Sequence, residues 1–165
     1  MFVNVRAIIT RQTPEGREII IQKRDKPYEG SIPYELPGGQ VEEYESLYDA
    51  LVREVKEETG LEVTLIKGQE DRIITKEENS AVEAVTPFCV YQTLHGPVDS
   101  MGAYFLCEVK GEILSDGDAT KEVQWIKVEE LRRRLEKGVI QFSWVDNSGI
   151  TYYLRSLELN EDATD

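Results

Sequence analysis

The sequence predicts an α/β fold in which a mixed β-sheet lies between helices. The order of its periodic segments is strand, strand, helix, several strands, helix and helix, which suits that architecture. The chain has 165 residues, of which 40% are hydrophobic and 31% are charged, a composition typical of one globular domain with an adequate core. We find no internal repeat or linker, and we therefore expect a single domain over residues 1–165.

The first two segments predict a β-hairpin. Aliphatic runs at residues 3–10 and 18–23 flank a turn that contains proline and glycine. The second run ends in Lys23 and Arg24. Their basic side chains are candidate contacts for a phosphate group, although two solvated charges at a strand end would show the same pattern.

A proline-containing loop follows the hairpin, and Tyr28 and Tyr34 lie in or beside it. An aromatic ring at such a place can stack on a nucleobase, but an aromatic side chain next to a loop more often packs against the protein. Phe142, Trp144 and Asn147, far along the chain, are further candidates for base selection. None of these residues is compelling from sequence alone.

The stretch that carries the most chemistry predicts a helix over residues 46–59. Ser46 followed three residues later by Asp49 resembles a capping box, and the Pro-Gly-Gly sequence before it is a loop signal. Gly60 stands where a left-handed C-terminal cap is wanted. These local signals agree on where the helix begins and ends.

Three glutamates share one face of this predicted helix, because Glu54, Glu57 and Glu58 stand at i, i+3 and i+4. Like charges at this spacing repel and weaken a helix, so stability alone does not explain this acidic face. A hard divalent cation removes the conflict, since Mg²⁺, Mn²⁺ and Ca²⁺ prefer oxygen ligands. Gly38 and Gly39 would let a backbone carbonyl approach the same ion. The pattern predicts a metal site, whereas a solvated helix is the ordinary explanation of a charge run.

Beyond this helix the pattern predicts four further strands, at residues 62–66, 72–75, 81–93 and 101–110, with a proline that breaks or edges the third. An acidic loop follows at residues 111–121. The remaining predicted elements are a short strand at 122–126, a helix at 128–137 and a last helix at 148–159. Residues 160–165 are expected to fray.

The net charge of −13, from 19 basic and 32 acidic residues, predicts repulsion from phosphate backbones, so we expect no nucleic-acid polymer as a partner. No apolar run reaches the roughly 18–20 residues that span a membrane, and the first residues lack the form of a signal peptide. Cys89 and Cys107 lie in apolar runs and are interpreted as reduced thiols. With the lone His95 they make no zinc site. We expect a cytoplasmic protein without a membrane partner.

The stretch from Gly38 to Leu61, GGQVEEYESLYDALVREVKEETGL, resembles the signature of the Nudix (MutT-type) hydrolases. The residues that fill every fixed position of this Nudix box are Gly39, Glu45, Arg53, Glu54, Glu57, Glu58 and Gly60, with aliphatic Val55 and Leu61. Outside the box the resemblance is loose. It implies the Nudix α/β/α sandwich, with a mixed sheet and the box as loop, helix and loop.

The resemblance also implies roles for the matched residues. The acidic face and the carbonyl of Gly38 are the expected ligands of Mg²⁺ or Mn²⁺, and one of the three glutamates is expected to take a proton from the attacking water. Arg53 is expected to hold Glu45 across the start of the helix.

Contacts to the substrate are expected from Arg24, Tyr34 and Gly39. Some family members take a general base from a later loop. The candidates in this chain are Glu112, Asp116, Asp118 and Glu122. We prefer Glu122, which lies three residues before Trp125.

Nudix enzymes cleave a nucleoside diphosphate linked to a group X. For this chain X is a sugar, as in ADP-ribose, or a further phosphate of a (deoxy)nucleoside triphosphate, including an oxidised one, and both alternatives stay open. The ADP-ribose type carries a marker proline downstream of the box and the dinucleoside-polyphosphate type a tyrosine. Lys76 and Glu77 stand at those places.

Two other hypotheses remain as alternatives to hydrolysis. One is a nucleotide-sensing Nudix module without catalysis, although such modules usually lose a box glutamate. The other is a diphosphate isomerase on a related fold, which needs a catalytic cysteine. Family members are often homodimers, and residues 72–90 or the leading hairpin would supply a surface for one.

Overall fold

The computed structural model describes residues 1–24, 33–114 and 120–163, apart from the side chains of residues 24, 120, 121, 162 and 163. The strands in this part of the chain are β1 (Phe2–Thr13), β2 (Gly16–Arg24), β3 (Tyr34–Glu35), β4 (Gly38–Gln40), β5 (Glu62–Ile66), β6 (Ile73–Glu77), β7 (Ser80–Ala84), β8 (Cys89–Gln92), β9 (Ser100–Lys110) and β10 (Thr120–Lys127). The α-helices are α1 (Leu47–Thr59), α2 (Val128–Glu136) and α3 (Trp144–Ala163). None of these described helices is long and apolar enough to span a membrane.

Eight of the strands form one sheet with β1 near its centre. The main path runs β10-β2-β1-β9-β5, and the shorter strands β3, β4 and β8 pair with β2, β1 and β9. β1 and β9 pair in parallel, while the other pairs are antiparallel. The sheet is therefore mixed, and the predicted α/β fold is confirmed.

Helices cover both faces of this sheet. Successive side chains of a strand point to opposite faces, and on β1 the buried Ile9 packs in one cluster with Leu51 of α1. The neighbouring Ile8 packs in a second cluster with Leu131 of α2 and Ile150 of α3. The three layers are thus α1, the sheet, and the pair α2 and α3.

The predicted ends of α1 are confirmed. The Ser46 hydroxyl accepts a hydrogen bond from the Asp49 N–H at 3.0 Å, which satisfies one of the free donors at the start of the helix. Gly60 adopts φ 79°, and its N–H donates to the Lys56 carbonyl at 2.9 Å. A glycine is required at this left-handed position.

Strands β6 and β7 form a separate two-stranded sheet that is fastened to the start of α1. Glu83 of β7 accepts a hydrogen bond from the Leu47 N–H at 2.6 Å. Arg72 donates to the same carboxylate at 2.8 Å and lies 5.0 Å from the ring centre of Tyr48. We call this sheet the side hairpin.

Several predicted boundaries were wrong. The Pro-Gly-Gly sequence at residues 37–39, predicted as loop, contributes Gly38 and Gly39 to β4, and β3 precedes it, because tertiary pairing with β1 and β2 orders residues with no strand pattern of their own. The single strand predicted at 81–93 is two strands, β7 and β8, with the proline between them. The strand predicted at 72–75 runs from Ile73 to Glu77, and the strand predicted from residue 122 begins at Thr120.

The last helix was also placed wrongly. It begins at Trp144 instead of residue 148, because the Ser143 hydroxyl accepts a hydrogen bond from the Asp146 N–H at 3.2 Å and acts as its cap. It continues to Ala163, where fraying was expected, while residues 164–165 lie outside the described part.

Helix α3 approaches the sheet most closely at Gly149. A Cβ atom on Gly149 would lie 2.3 Å from Cε1 and Cζ of Tyr104, far inside van der Waals contact. We expect Gly149→Ala to lower the free energy of unfolding by about 1–3 kcal/mol, because the helix must shift away from the strand. Urea unfolding measures this loss. Thr151→Ala on the exposed side of α3 is the control, and equal midpoints for the two variants would contradict the prediction.

Candidate active site

The carboxylate of Glu58 lies where α1 meets β2 and β4. Its Oε2 accepts hydrogen bonds from the Gln22 side-chain amide at 2.6 Å and from the Gly38 N–H at 3.0 Å. Burial raises the pKa of Glu58 to about 7, although these hydrogen bonds and the nearby Arg6 charge act in the opposite direction. The group therefore holds a proton near neutral pH unless further positive charge is brought to it.

Arg53 gathers the other acids of the Nudix box. Its Nε and Nη2 donate to the two oxygens of Glu45 at 2.8 and 2.9 Å, so the expected contact between these residues is present. Its Nη1 donates to Glu54 at 2.7 Å and lies 3.5 Å from Glu57. One guanidinium thus offsets the repulsion between neighbouring carboxylates of the helix.

Gly39 makes room for the Glu54 side chain. A Cβ atom on Gly39 would lie 2.5 Å from the Glu54 carboxyl carbon and 2.6–2.7 Å from its oxygens. The glycine therefore lets β4 lie directly against the acidic face of α1. This contact is a structural reason for glycine at the first position of the Nudix box.

The donor set suits a hard cation in its chemistry. The acidic face supplies carboxylate oxygens, and Gln22 adds a fully buried amide oxygen that has no hydrogen-bond donor among the described residues. A divalent cation would also favour the ionised form of Glu58. We conclude that these residues fit a metal ion such as Mg²⁺ or Mn²⁺.

The side chains are not gathered around one point in this structure. In the described part of the chain, no three histidine, cysteine or acidic side chains are close enough together to hold one ion. Arg53 donates to Glu54 and lies 3.5 Å from Glu57, while Gly38 and Gln22 donate to Glu58. Binding of a metal at the acidic face requires a change of side-chain rotamers.

The other candidate residues lie outside the acidic face of α1. Tyr34 is half-buried on β3, with the Lys23 ammonium 4.7 Å from its ring centre. Glu122 has a positive φ of 54° at a bulge of β10, and its carboxylate lies 3.3 Å from the Lys23 ammonium. Arg24 ends β2, but its side chain lies outside the described part.

Four more candidates fall on or beside undescribed segments. Tyr28, Asp116 and Asp118 lie outside the described residues, whereas Glu112 is exposed. The role of a loop acid as general base stays a prediction.

A pocket with a volume of about 430 Å³ opens between β8, the following loop and α3. Trp144 and His95 line it, together with the ring of Tyr104. Two of the candidates for base selection differ in exposure: Trp144 is half-exposed on the wall of this pocket, and Phe142 is buried.

Sequence reasoning missed Gln22, Arg6 and Asp146. Arg6 lies inside an aliphatic run, where a charged side chain implies a partner, and Gln22 directly follows the three isoleucines at residues 19–21. Asp146 gave a weaker signal, because it lies in a segment that was not recognised as helix.

The fold and the site together define an α/β/α protein whose acidic helix faces a glycine-rich strand. A model of the NUDIX domain matches residues 2–146, and the chain belongs to the Nudix family. An ADP-ribose pyrophosphatase from Methanocaldococcus jannaschii is 43% identical over 47 residues. That match covers 28% of this chain and 27% of the relative, so it spans about a quarter of that protein.

Solved structures share the fold at low sequence identity. The NUDIX domain of Shewanella oneidensis NrtR, complexed with ADP ribose, matches with a TM-score of 0.67 at 13% identity, covering 95% of this chain and 88% of that one. A MutT NUDIX hydrolase from Burkholderia pseudomallei matches with a TM-score of 0.60 at 17% identity, covering 92% and 96%. At these identities the likeness shows the fold alone.

The Glu45–Arg53 contact makes stability depend on pH. Hydrogen bonding from Arg53 lowers the pKa of Glu45 from 4.5 to about 2. The contribution is therefore complete above pH 4.5 and is lost as pH falls toward 2. Because both side chains are partly solvated, we expect Glu45→Gln to cost about 1 kcal/mol at pH 7 and progressively less below pH 4.5. Urea unfolding between pH 7 and 3 measures the difference, with exposed Glu43→Gln as control. A cost that does not change with pH would contradict the assignment.

Proposed function

We propose that this protein hydrolyses the diphosphate of a nucleoside diphosphate linked to a second group, with Mg²⁺ or Mn²⁺, and that ADP-ribose is the first candidate substrate. The observation that carries the proposal is the complete Nudix box on α1, with Glu58 held against the Gly38 N–H of β4. The pyrophosphatase relative supports this substrate class.

The proposed chemistry divides between the metal and the chain. A bound divalent cation would neutralise the phosphate oxygens, lower the pKa of the attacking water and stabilise the leaving oxygen. The acidic face and the Gly38 carbonyl would hold it. Arg53 orients Glu54 through its hydrogen bond of 2.7 Å and is itself fixed by Glu45. Glu58 is our candidate among the three glutamates for taking the proton from the attacking water, in the ionised form that a bound cation favours.

The choice of X rests on relatives more than on markers. ADP-ribose is favoured by the pyrophosphatase match and by the NrtR domain, whose structure was determined with ADP ribose. Lys76, which stands where the ADP-ribose type has its proline, lies on β6 of the side hairpin. A nucleoside triphosphate, oxidised or not, remains the second candidate, since MutT proteins share the fold.

A sensing module without catalysis is the alternative that a specific observation favours. Among the described residues no three acidic side chains are close enough together to hold one ion, and Arg53 donates to Glu54 and lies 3.5 Å from Glu57. Binding of a nucleotide without turnover would need only the pocket and the loops around it.

The isomerase alternative needs a reactive thiol, and neither cysteine suits that role. Burial raises the pKa of Cys89 to about 11 and that of Cys107 to about 12. Both lie on strands of the main sheet. Neither thiol is ionised at neutral pH, so neither is poised for nucleophilic attack.

A nucleotide panel tests the proposed function directly. ADP-ribose, dinucleoside polyphosphates and normal and oxidised nucleoside triphosphates are incubated with the protein and Mg²⁺ or Mn²⁺, with and without EDTA. We expect metal-dependent release of a nucleoside monophosphate, fastest from ADP-ribose, which identifies X at the same time. Binding of a nucleotide by calorimetry without any release would support the sensing module instead.

Glu58→Gln is the matching test of the site. We expect kcat to fall by about 10²–10⁴-fold, because the variant loses a metal ligand and a proton acceptor. The fold should stay intact, since the folded-state pKa of Glu58 lies above its ordinary value and a neutral side chain removes the cost of ionising it. Thermal melting checks the fold and steady-state kinetics the loss. Full activity in the same magnesium buffer would remove Glu58 from the mechanism; Glu43→Gln is the control.

A further inference from the structure

A buried ion pair outside the Nudix box joins α3 to β1. The Arg6 Nε donates to Asp146 Oδ1 at 3.0 Å, and its Nη2 contacts Oδ2 of the same carboxylate. Arg6 is 6% exposed and Asp146 is 0% exposed. Burial alone would lower the pKa of Arg6, but the Asp146 carboxylate raises it above its ordinary value, so the guanidinium stays charged. Buried pairs of this kind add little stability compared with apolar residues of similar volume, so stability alone does not explain this one.

The Asp146 carboxylate also holds the backbone that leads into the active site. Its Oδ2 accepts a hydrogen bond from the Leu36 N–H at 2.9 Å, and its Oδ1 accepts one from the Tyr104 hydroxyl at 3.1 Å. Leu36 lies two residues before Gly38 and is fully buried. One side chain of α3 therefore fixes the entry to β4.

Arg6 supports Gly38 from the neighbouring strand. The two residues are register partners of β1 and β4. A Cβ atom on Gly38 would lie 2.8 Å from the Arg6 Cα and 3.0 Å from its Cδ, so the glycine backbone rests directly on the arginine. The Gly38 N–H in turn donates to Glu58 at 3.0 Å. An unbroken series of contacts thus runs from Asp146 to the Glu58 carboxylate.

We propose that Arg6 and Asp146 are positioning residues for hydrolysis: they fix the backbone from Leu36 to Gly38, and through the Gly38 N–H they orient Glu58. Neither residue touches the reacting atoms. Arg6 and Asp146 orient a proposed metal ligand without binding the metal themselves. Loss of such residues weakens metal binding although every ligand is still present. The proposal rests on the proposed function.

The double variant Arg6→Met/Asp146→Val separates positioning from stability. The two apolar residues remove both charges of the pair but leave the buried Glu35 carboxylate, which lies 3.9 Å from Arg6, so the variant is expected to fold and to unfold in urea at a somewhat lower midpoint than the unmodified protein. We expect Mn²⁺ binding, measured from the electron paramagnetic resonance signal of the free ion, to weaken by about 10–100-fold. With a substrate found in the nucleotide panel, kcat should fall while KM changes little.

Amide hydrogen exchange gives a readout that needs neither metal nor substrate. In the double variant the Leu36 and Gly38 amides should exchange faster, while amides in the middle of β9 keep their protection. The control is Arg11→Met/Glu18→Leu, which removes a 2.8 Å ion pair from the far end of β1. This control should leave Mn²⁺ binding and both amides unchanged.

The possible outcomes distinguish the positioning role from the proposed function. A folded double variant with unchanged Mn²⁺ affinity and unchanged protection of Leu36 and Gly38 overturns the positioning role. If the double variant does not fold, Arg6→Lys is measured in the same way, because an ammonium cannot bind both carboxylate oxygens in the fork geometry, and unchanged values for that variant overturn the role equally. Unmodified protein that binds Mn²⁺ but hydrolyses no nucleotide overturns the proposed function alone. Unmodified protein that binds no Mn²⁺ overturns both.

Discussion

The site depends on a carboxylate held partly out of water. Glu58 is carried by the helix, but its hydrogen-bond partners come from two strands, β2 and β4. Any displacement of these strands relative to α1 therefore changes both the direction and the ionisation of this one group. The main sheet, with α1 packed on it through Leu51 and Val55, supplies the rigidity that such a contact needs.

The remaining charges of the helix are balanced within the Nudix box itself. Arg53 makes hydrogen bonds to Glu45 and Glu54 and lies close to Glu57, so three carboxylates share one cation. This arrangement reduces the repulsion between Glu54 and Glu57, two of the three acids at i, i+3 and i+4. It also means that a metal ion at the acidic face competes with Arg53 for the same oxygens.

Most of the box was readable from sequence because its interactions are local. The Ser46 and Gly60 caps join groups within one turn of the helix ends, where spacing determines which groups meet, and the Arg53–Glu45 contact was expected from the family pattern. The α/β fold followed from the order of the segments. Short strands such as β3 and β4 have no pattern of their own and are ordered only by their partners.

The ion pair of Arg6 and Asp146 could not be predicted from the sequence, since the two residues are 140 positions apart in the chain. Spacing says nothing about such a pair, and a single sequence offers only the oddity of an arginine among aliphatic residues. The lone buried charge in β1 was nevertheless a usable sign, because an unpaired guanidinium is too costly to bury.

The side hairpin has a consequence for how the chain tolerates change. Among the described residues, Arg72 and Glu83 fasten its base to the start of α1, while Ile73 and Val82 are 60% and 64% exposed. The turn at its tip belongs neither to the main sheet nor to the helix. Extra sequence, such as an affinity tag, inserted between Glu78 and Asn79 would lengthen a free loop at small entropic cost and leave α1 undisturbed.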